Sequence, residues 1–150
     1  MTGIRVSTII AAPIEEVWRH VSDISSHTGW MQDAEAIRFT AAETRGMGVT
    51  FDCDTRVGPF SLTDRMVVTE WEESRVIGIH HRGAVSGSGR FTLEEIEPGC
   101  TRFTWEEALR FPWWLGGAVG RLAATPVLYH IWRGNLDRLR SLIESERTAG

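Results

Sequence analysis

The run GIRVSTIIAAPIEEVW, residues 3–18, decides the fold. In its first half Ile4, Val6, Thr8 and Ile10 alternate with Arg5, Ser7 and Ile9, the two-residue period of a half-buried strand. Pro13 then supplies the backbone angle of a first helical turn, and Glu15 and Glu16 sit where the helix dipole favours anions. Ile14, Val17, Trp18 and Val21 form one apolar face. Ala12 caps poorly, so Pro13 alone marks the boundary. A strand thus passes directly into a short helix, and residues 23–31 hold a second short helix, broken near Gly29.

Beyond this helical pair the period changes. From Ala36 to Leu109, short alternating runs are separated by turn residues at Gly46 to Gly48, Gly58-Pro59, Glu72 to Ser74, Gly83 and Pro98-Gly99. They predict six further antiparallel strands over residues 36–41, 48–57, 60–71, 75–82, 86–96 and 101–109. After Phe111, Pro112 marks another helical start. Leu115, Val119, Leu122, Tyr129, Trp132, Leu136, Leu139 and Ile143 then recur at helical spacing, with Pro126 inside the run as a predicted kink. Seven strands with one apolar face must curl around the single long helix that covers them. One helix cannot cover so wide a sheet, and the uncovered part is a cavity.

A chain of 150 residues fits one domain with a sizeable core. Its net charge of −4 and its scattered Lys and Arg argue against a nucleic-acid partner. Cys53 and Cys100 form no disulfide framework, and the N-terminus lacks a basic region followed by a long apolar run. The expected setting is therefore a reducing cytoplasm. No apolar stretch approaches the ~20 residues of a transmembrane helix.

The run Ile10 to Trp18, followed by Val21-Ser22-Asp23 and Trp30, resembles the opening of the START-like (SRPBCC) superfamily. Later segments resemble its bacterial polyketide cyclase/dehydrase and lipid-transport branch. These are Gly46-Met47-Gly48, Val68-Thr69-Glu70-Trp71, the glycines before Phe91-Thr92-Leu93, Thr101 to Trp105, and Asn135-Leu136. The resemblance spans nearly the whole chain and implies an α+β helix-grip fold. That fold has a seven-stranded curved antiparallel sheet around a long C-terminal helix, with two short helices between strands 1 and 2. It also implies a hydrophobic pocket between sheet and helix. The superfamily includes cyclases, dehydratases, lipid carriers and hormone receptors, so the fold does not choose an activity and no catalytic residue is carried over.

Strand periodicity places Phe51 and Cys53 on the pocket face, and likewise Leu62 and Met66 on the next strand. It brings Asp64 with them, His81 with Ile77 and Ile79, and Glu107 with Phe103 and Trp105; Phe91 faces in from the strand between. Three titratable groups on an apolar face are candidates for acid–base work, because burial raises a carboxyl pKa. The alternative is structural: Asp64 pairing with Arg65, Arg56 or Arg90, and Glu107 solvated at a strand end. On the helix, Leu122, Thr125, Tyr129 and Trp132 share the expected pocket stripe, which offers the Tyr129 hydroxyl to a ligand or to a backbone carbonyl. Trp30 falls at the pocket mouth or in the core.

His80 and His81 point to opposite faces, and His20, His27 and His130 lack ligand spacing, so no metal is expected. Gly83, Gly87 and Gly89 precede a strand, not a Gly-Lys-Ser/Thr helix start, so they are no phosphate loop and no cofactor is implied. They are expected to let the long helix approach the sheet or to mark bulges. The apolar run Phe111 to Leu115 reads foremost as a buried plug where the helix begins, and otherwise as a membrane or self-association contact. The leading functional expectation is binding or carriage of a small hydrophobic, lipid-like or polyketide-like molecule. The alternatives are a cyclase/dehydratase-type enzyme and a ligand-free partner-binding domain.

Overall fold

A computed structural model describes residues 3–149. Strand β1 (Ile4–Ile10) leads into helix α1 (Ile14–Val21), whose buried face is Val17, Trp18 and Val21. The second short helix is a 3₁₀ segment, Ile24–Gly29. Strands β2 (Ala34–Phe39), β3 (Thr50–Val57), β4 (Phe60–Glu72), β5 (Val76–Arg82), β6 (Ser86–Glu97) and β7 (Cys100–Arg110) follow. β3 starts at Thr50 and not at 48 because Gly46 and Gly48 turn the chain at φ 102° and 89°.

The strands form one antiparallel sheet in the order β1-β7-β6-β5-β4-β3-β2, curled into a half-barrel around the C-terminal helix. This is the helix-grip fold. Helix α2 (Gly117–Ala149) begins five residues after Pro112. Pro112 instead opens a 3₁₀ turn, Trp113–Leu115, which ends at Gly116 and Gly117 with φ 89° and 53°. Pro126 lies within an unbroken helix, on its exposed side, where water can satisfy the carbonyl that proline leaves without a donor.

The two halves of α2 differ. Trp132, Leu136, Leu139 and Ile143 are buried, and α2 packs closely on β1, β7 and α1. From Gly117 to Ile131 no residue is fully buried, and the helix stands off β3 to β6. The opening between them is the cavity. The apolar run before α2 is not a plug: Trp113 is 87 % and Trp114 53 % exposed, while Phe111 and Leu115 turn inward to the cavity wall. The described residues contain no helix long and apolar enough to cross a membrane.

Candidate functional site

A cavity of about 640 Å³ lies between the sheet and the first half of α2. Phe51, Met66, Ile77, Ile79 and Phe91 form its sheet wall, and Val127, Leu128, Ile131 and Trp132 its helix wall. Gly58, Pro59 and Phe60, in the β3–β4 hairpin, line it opposite Phe111 and Leu115. Of the residues expected from the sequence, Phe51, Cys53, Leu62, Asp64, Met66, His81, Phe91, Trp105, Glu107 and Trp132 line this space.

Leu122, Thr125 and Tyr129 do not. Leu122 is 68 % and Tyr129 42 % exposed, the Thr125 hydroxyl donates to the Arg121 carbonyl, and the Tyr129 hydroxyl accepts from Arg133. The expected stripe stepped back three residues from Trp132 to Tyr129, whereas the helix presents the four-residue row Gly120, Ala124, Leu128, Trp132 and Leu136. Trp30 and Phe103 are fully buried but sit in the core beside the cavity. Trp30 packs edge-on against Phe103 and Trp105 with ring centroids 6.2 and 6.3 Å away.

Asp64, His81 and Glu107 converge on the sheet wall. Asp64 is carried by β4, where Leu62, Asp64 and Met66 share a face, and Met66 pairs directly with His81 on β5. His81 and Glu107 stand two strands apart, across β6, a span of roughly 10 Å at the usual strand spacing. They meet because the intervening positions are glycines: His81 pairs with Gly87, and Glu107 with Gly89. A Cβ on Gly89 would lie 2.7 Å from Glu107 Cγ, and one on Gly83 would lie 1.9 Å from Asp64 Oδ1. These glycines therefore admit the polar side chains and do not serve approach of the helix.

His81 Nε2 lies 3.4 Å from Glu107 Oε2, close enough for an ion pair but aligned too poorly for a hydrogen bond. Glu107 Oε1 accepts from Trp105 Nε1 at 3.0 Å. Burial disfavours the His81 cation, yet the charges of Glu107 and Asp64 outweigh it and raise its pKa. Burial raises the Asp64 pKa, against the pull of His81 and of the Val85 and Ala84 amides. The arginines considered as partners for Asp64 are engaged elsewhere: Arg65 with Asp52, Arg56 with Glu35 and Arg90 with Glu70. Burial also pushes the Cys53 thiol up to about 11, which keeps it protonated.

Among the cavity residues that escaped the sequence reading are two titratable groups. Asp33 lies in the loop before β2 and accepts from Trp132 Nε1 (3.1 Å) and Asn135 Nδ2 (2.8 Å). Burial raises its pKa. Asn135 also accepts from the Gln32 amide and from Arg138, which clamps this loop onto α2. The available signal was Trp132 and Asn135 one turn apart, two buried donors that need a common acceptor. The second residue, His27, is set against Trp30 and Phe91 with its Nε2 2.7 Å from the Val21 carbonyl. Burial pushes its pKa down to about 4, so it is neutral.

A curled sheet gripping a helix over an apolar cavity with a buried polar wall defines a START-like protein. The chain belongs to the polyketide cyclase / dehydrase and lipid transport family, whose model matches residues 1–144. Among solved structures it is similar to a protein from Thermus thermophilus, with 16% identity and a TM-score of 0.79 over 97% of this chain and 99% of that one. It is similar also to an aromatase/cyclase from Streptomyces sp. R1128 (16% identity, TM-score 0.73, 95% and 93% covered). A START superfamily protein from Mycobacterium smegmatis matches at 18% identity and TM-score 0.71, with 93% and 98% covered. At these identities the likeness concerns the fold. No curated protein is significantly similar in sequence.

Proposed function

We propose that this protein binds a small, mostly apolar molecule in the cavity between α2 and strands β3 to β6. The observation that carries the reading is a cavity of about 640 Å³ whose wall is mostly apolar, with Asp64, His81 and Glu107 converging on its sheet side. Its size falls within the range of small-molecule pockets. Ligand burial supplies affinity at roughly 25 cal/mol per Å² of apolar surface, and the polar cluster sets orientation. The test is native mass spectrometry of freshly purified protein, followed by denaturing extraction. An apolar compound retained one-to-one supports the reading. Protein that arrives empty, and that binds no member of a panel of apolar aromatics and alcohols, refutes it.

A second reading, proton abstraction or water loss on a carbonyl substrate, draws on the convergence of Asp64, His81 and Glu107. Tyr129 cannot serve it as an oxyanion donor, because its hydroxyl sits on the exposed face of α2. This reading requires a retained carbonyl compound to exchange its α-hydrogens for deuterium in the wild type and not in Glu107→Gln.

A further inference from the structure

Building on the ligand-binding reading, we infer that the cavity selects an uncharged hydroxyl-bearing ligand, whose O–H bridges Asp64 and His81, and discriminates against anionic amphiphiles. The inference starts from which polar atoms around the cavity are already engaged. Both Asp33 oxygens accept, from Trp132 and Asn135. Glu107 Oε1 accepts from Trp105, and Oε2 faces His81. His27 Nε2 is bonded to the Val21 carbonyl. Arg90 touches the cavity, but its guanidinium is held by both oxygens of Glu70.

Among the described residues, the buried side-chain atoms left without a hydrogen-bond partner are Asp64 Oδ1, His81 Nε2 and Trp30 Nε1. Of these three residues only Asp64 and His81 line the cavity. Asp64 is 5 % and His81 9 % exposed. Polar neighbours stand beside both, the Val85 and Ala84 amides at Asp64 and Glu107 Oε2 3.4 Å from His81 Nε2, yet neither atom completes a well-aligned hydrogen bond, and buried polar atoms left so are costly unless a ligand supplies the missing bonds. They stand on adjacent strands, two residues from direct opposition, since Met66 and not Asp64 faces His81. The inference places one ligand oxygen between them, on the face that these diagonal neighbours share. A hydroxyl suits the pair because it donates to Asp64 Oδ1 while accepting from His81 Nε2–H.

Charge decides against the other head groups. The cavity carries three carboxyl groups, Asp33, Asp64 and Glu107, while His27 is neutral and Arg90 is held by Glu70, so among the described lining residues the cation that can face a ligand is His81. His81 already lies between Glu107 and Asp64. A carboxylate or phosphate head would add a fourth negative group to a low-dielectric space with no free guanidinium to meet it. An ammonium head would satisfy Asp64 but has no lone pair with which to accept from His81 Nε2–H.

The experiment titrates the protein near neutral pH with 2-naphthol, naphthalene, 2-naphthoate and 2-naphthylmethylammonium, which share one apolar body. Calorimetry or quenching of the cavity tryptophans Trp105 and Trp132 reads the affinity. The expected result is that 2-naphthol binds at least about tenfold tighter than naphthalene, and that 2-naphthoate binds weakest. Asp64→Leu is expected to abolish the preference for 2-naphthol over naphthalene, the two binding equally to the variant, whose fold is checked by circular dichroism. Asp64→Asn, which keeps an acceptor, is expected to fall between. Equal binding of 2-naphthoate and 2-naphthol, tightest binding of the ammonium, or unchanged 2-naphthol affinity in both Asp64 variants overturns the head-group inference and leaves the cavity reading standing. Failure of all four probes counts against the cavity reading itself.

Discussion

Acid is expected to weaken this fold chiefly through one buried side chain, His27, because the carboxylates with lowered pKa values, Asp54 and Glu73, lie near the surface. The ring is buried against Trp30 and Phe91, its Nε2 is committed to the Val21 carbonyl, and its pKa is depressed from 6.5 to about 4. The unfolded chain binds a proton near 6.5, whereas the folded chain resists it until about 4. His27 therefore favours folding fully above 6.5, and this contribution is lost progressively as the pH falls to about 4. At about 1.4 kcal/mol per unit the loss amounts to about 3 kcal/mol, a large part of the 5–15 kcal/mol typical of a domain. Other groups act differently. The raised pKa of His81 gives stability that is present below 6.5 and lost as the pH rises through its folded value, outside the His27 window. Asp33 and Asp64, also raised, favour the fold as the pH falls toward 3.8 and so oppose His27 in the lower part of the window. Comparing wild type with His27→Gln, which keeps a donor for Val21, cancels these shared terms. Urea unfolding near pH 7 and near pH 4 should show the wild type losing about 3 kcal/mol more than the variant. Equal losses in both proteins would refute the reasoning.

Gly89→Ala places a methyl group against Glu107 and is expected to cost about 1–3 kcal/mol. By moving Glu107 off His81 it should also lower the His81 pKa, which NMR titration reads directly. Asn135→Ala removes the acceptor of the Gln32 amide and a donor to Asp33, and is expected to destabilise by about 2–4 kcal/mol in chemical denaturation. Ala124→Phe fills the cavity beneath α2 and should abolish binding of 2-naphthol with little loss of stability, whereas Leu122→Ala, on the exposed face, should leave binding unchanged.

The strands and their facing were legible because a half-buried strand repeats every two residues, and a one-residue slip would have turned all of Leu62, Asp64, Met66 and Val68 outward. That rigid alternation is why Asp64, His81 and Glu107 fall on one face from the sequence pattern alone. Their meeting could not be foreseen in the same way. His81 and Glu107 are held on strands that do not touch, and only the register sets Gly87 and Gly89 between them. The same glycines, seen along the chain alone, suggest bulges or a close helix.

The helix was harder to phase. A strand has two faces, but steps of three and four residues are both compatible with a helix, and each successive choice rotates the expected stripe. From Trp132 the sequence offers Tyr129 or Leu128, and the larger amphipathic side chain drew the stripe toward Tyr129, Thr125 and Leu122. The fold takes Leu128, and then Ala124 and Gly120. A rule that seeks bulky apolar residues on a buried face fails at a cavity, because there the buried face must be small for space to remain. Gly120, Ala123 and Ala124 line the cavity in the first turns of the helix, ahead of the bulkier Val127, Leu128 and Ile131. The large residues Leu122 and Tyr129 stand on the solvent side, where they cannot fill the void. A run of small residues on a helix that becomes bulky and buried further along, at Trp132, is thus itself the sequence mark of where the ligand space begins.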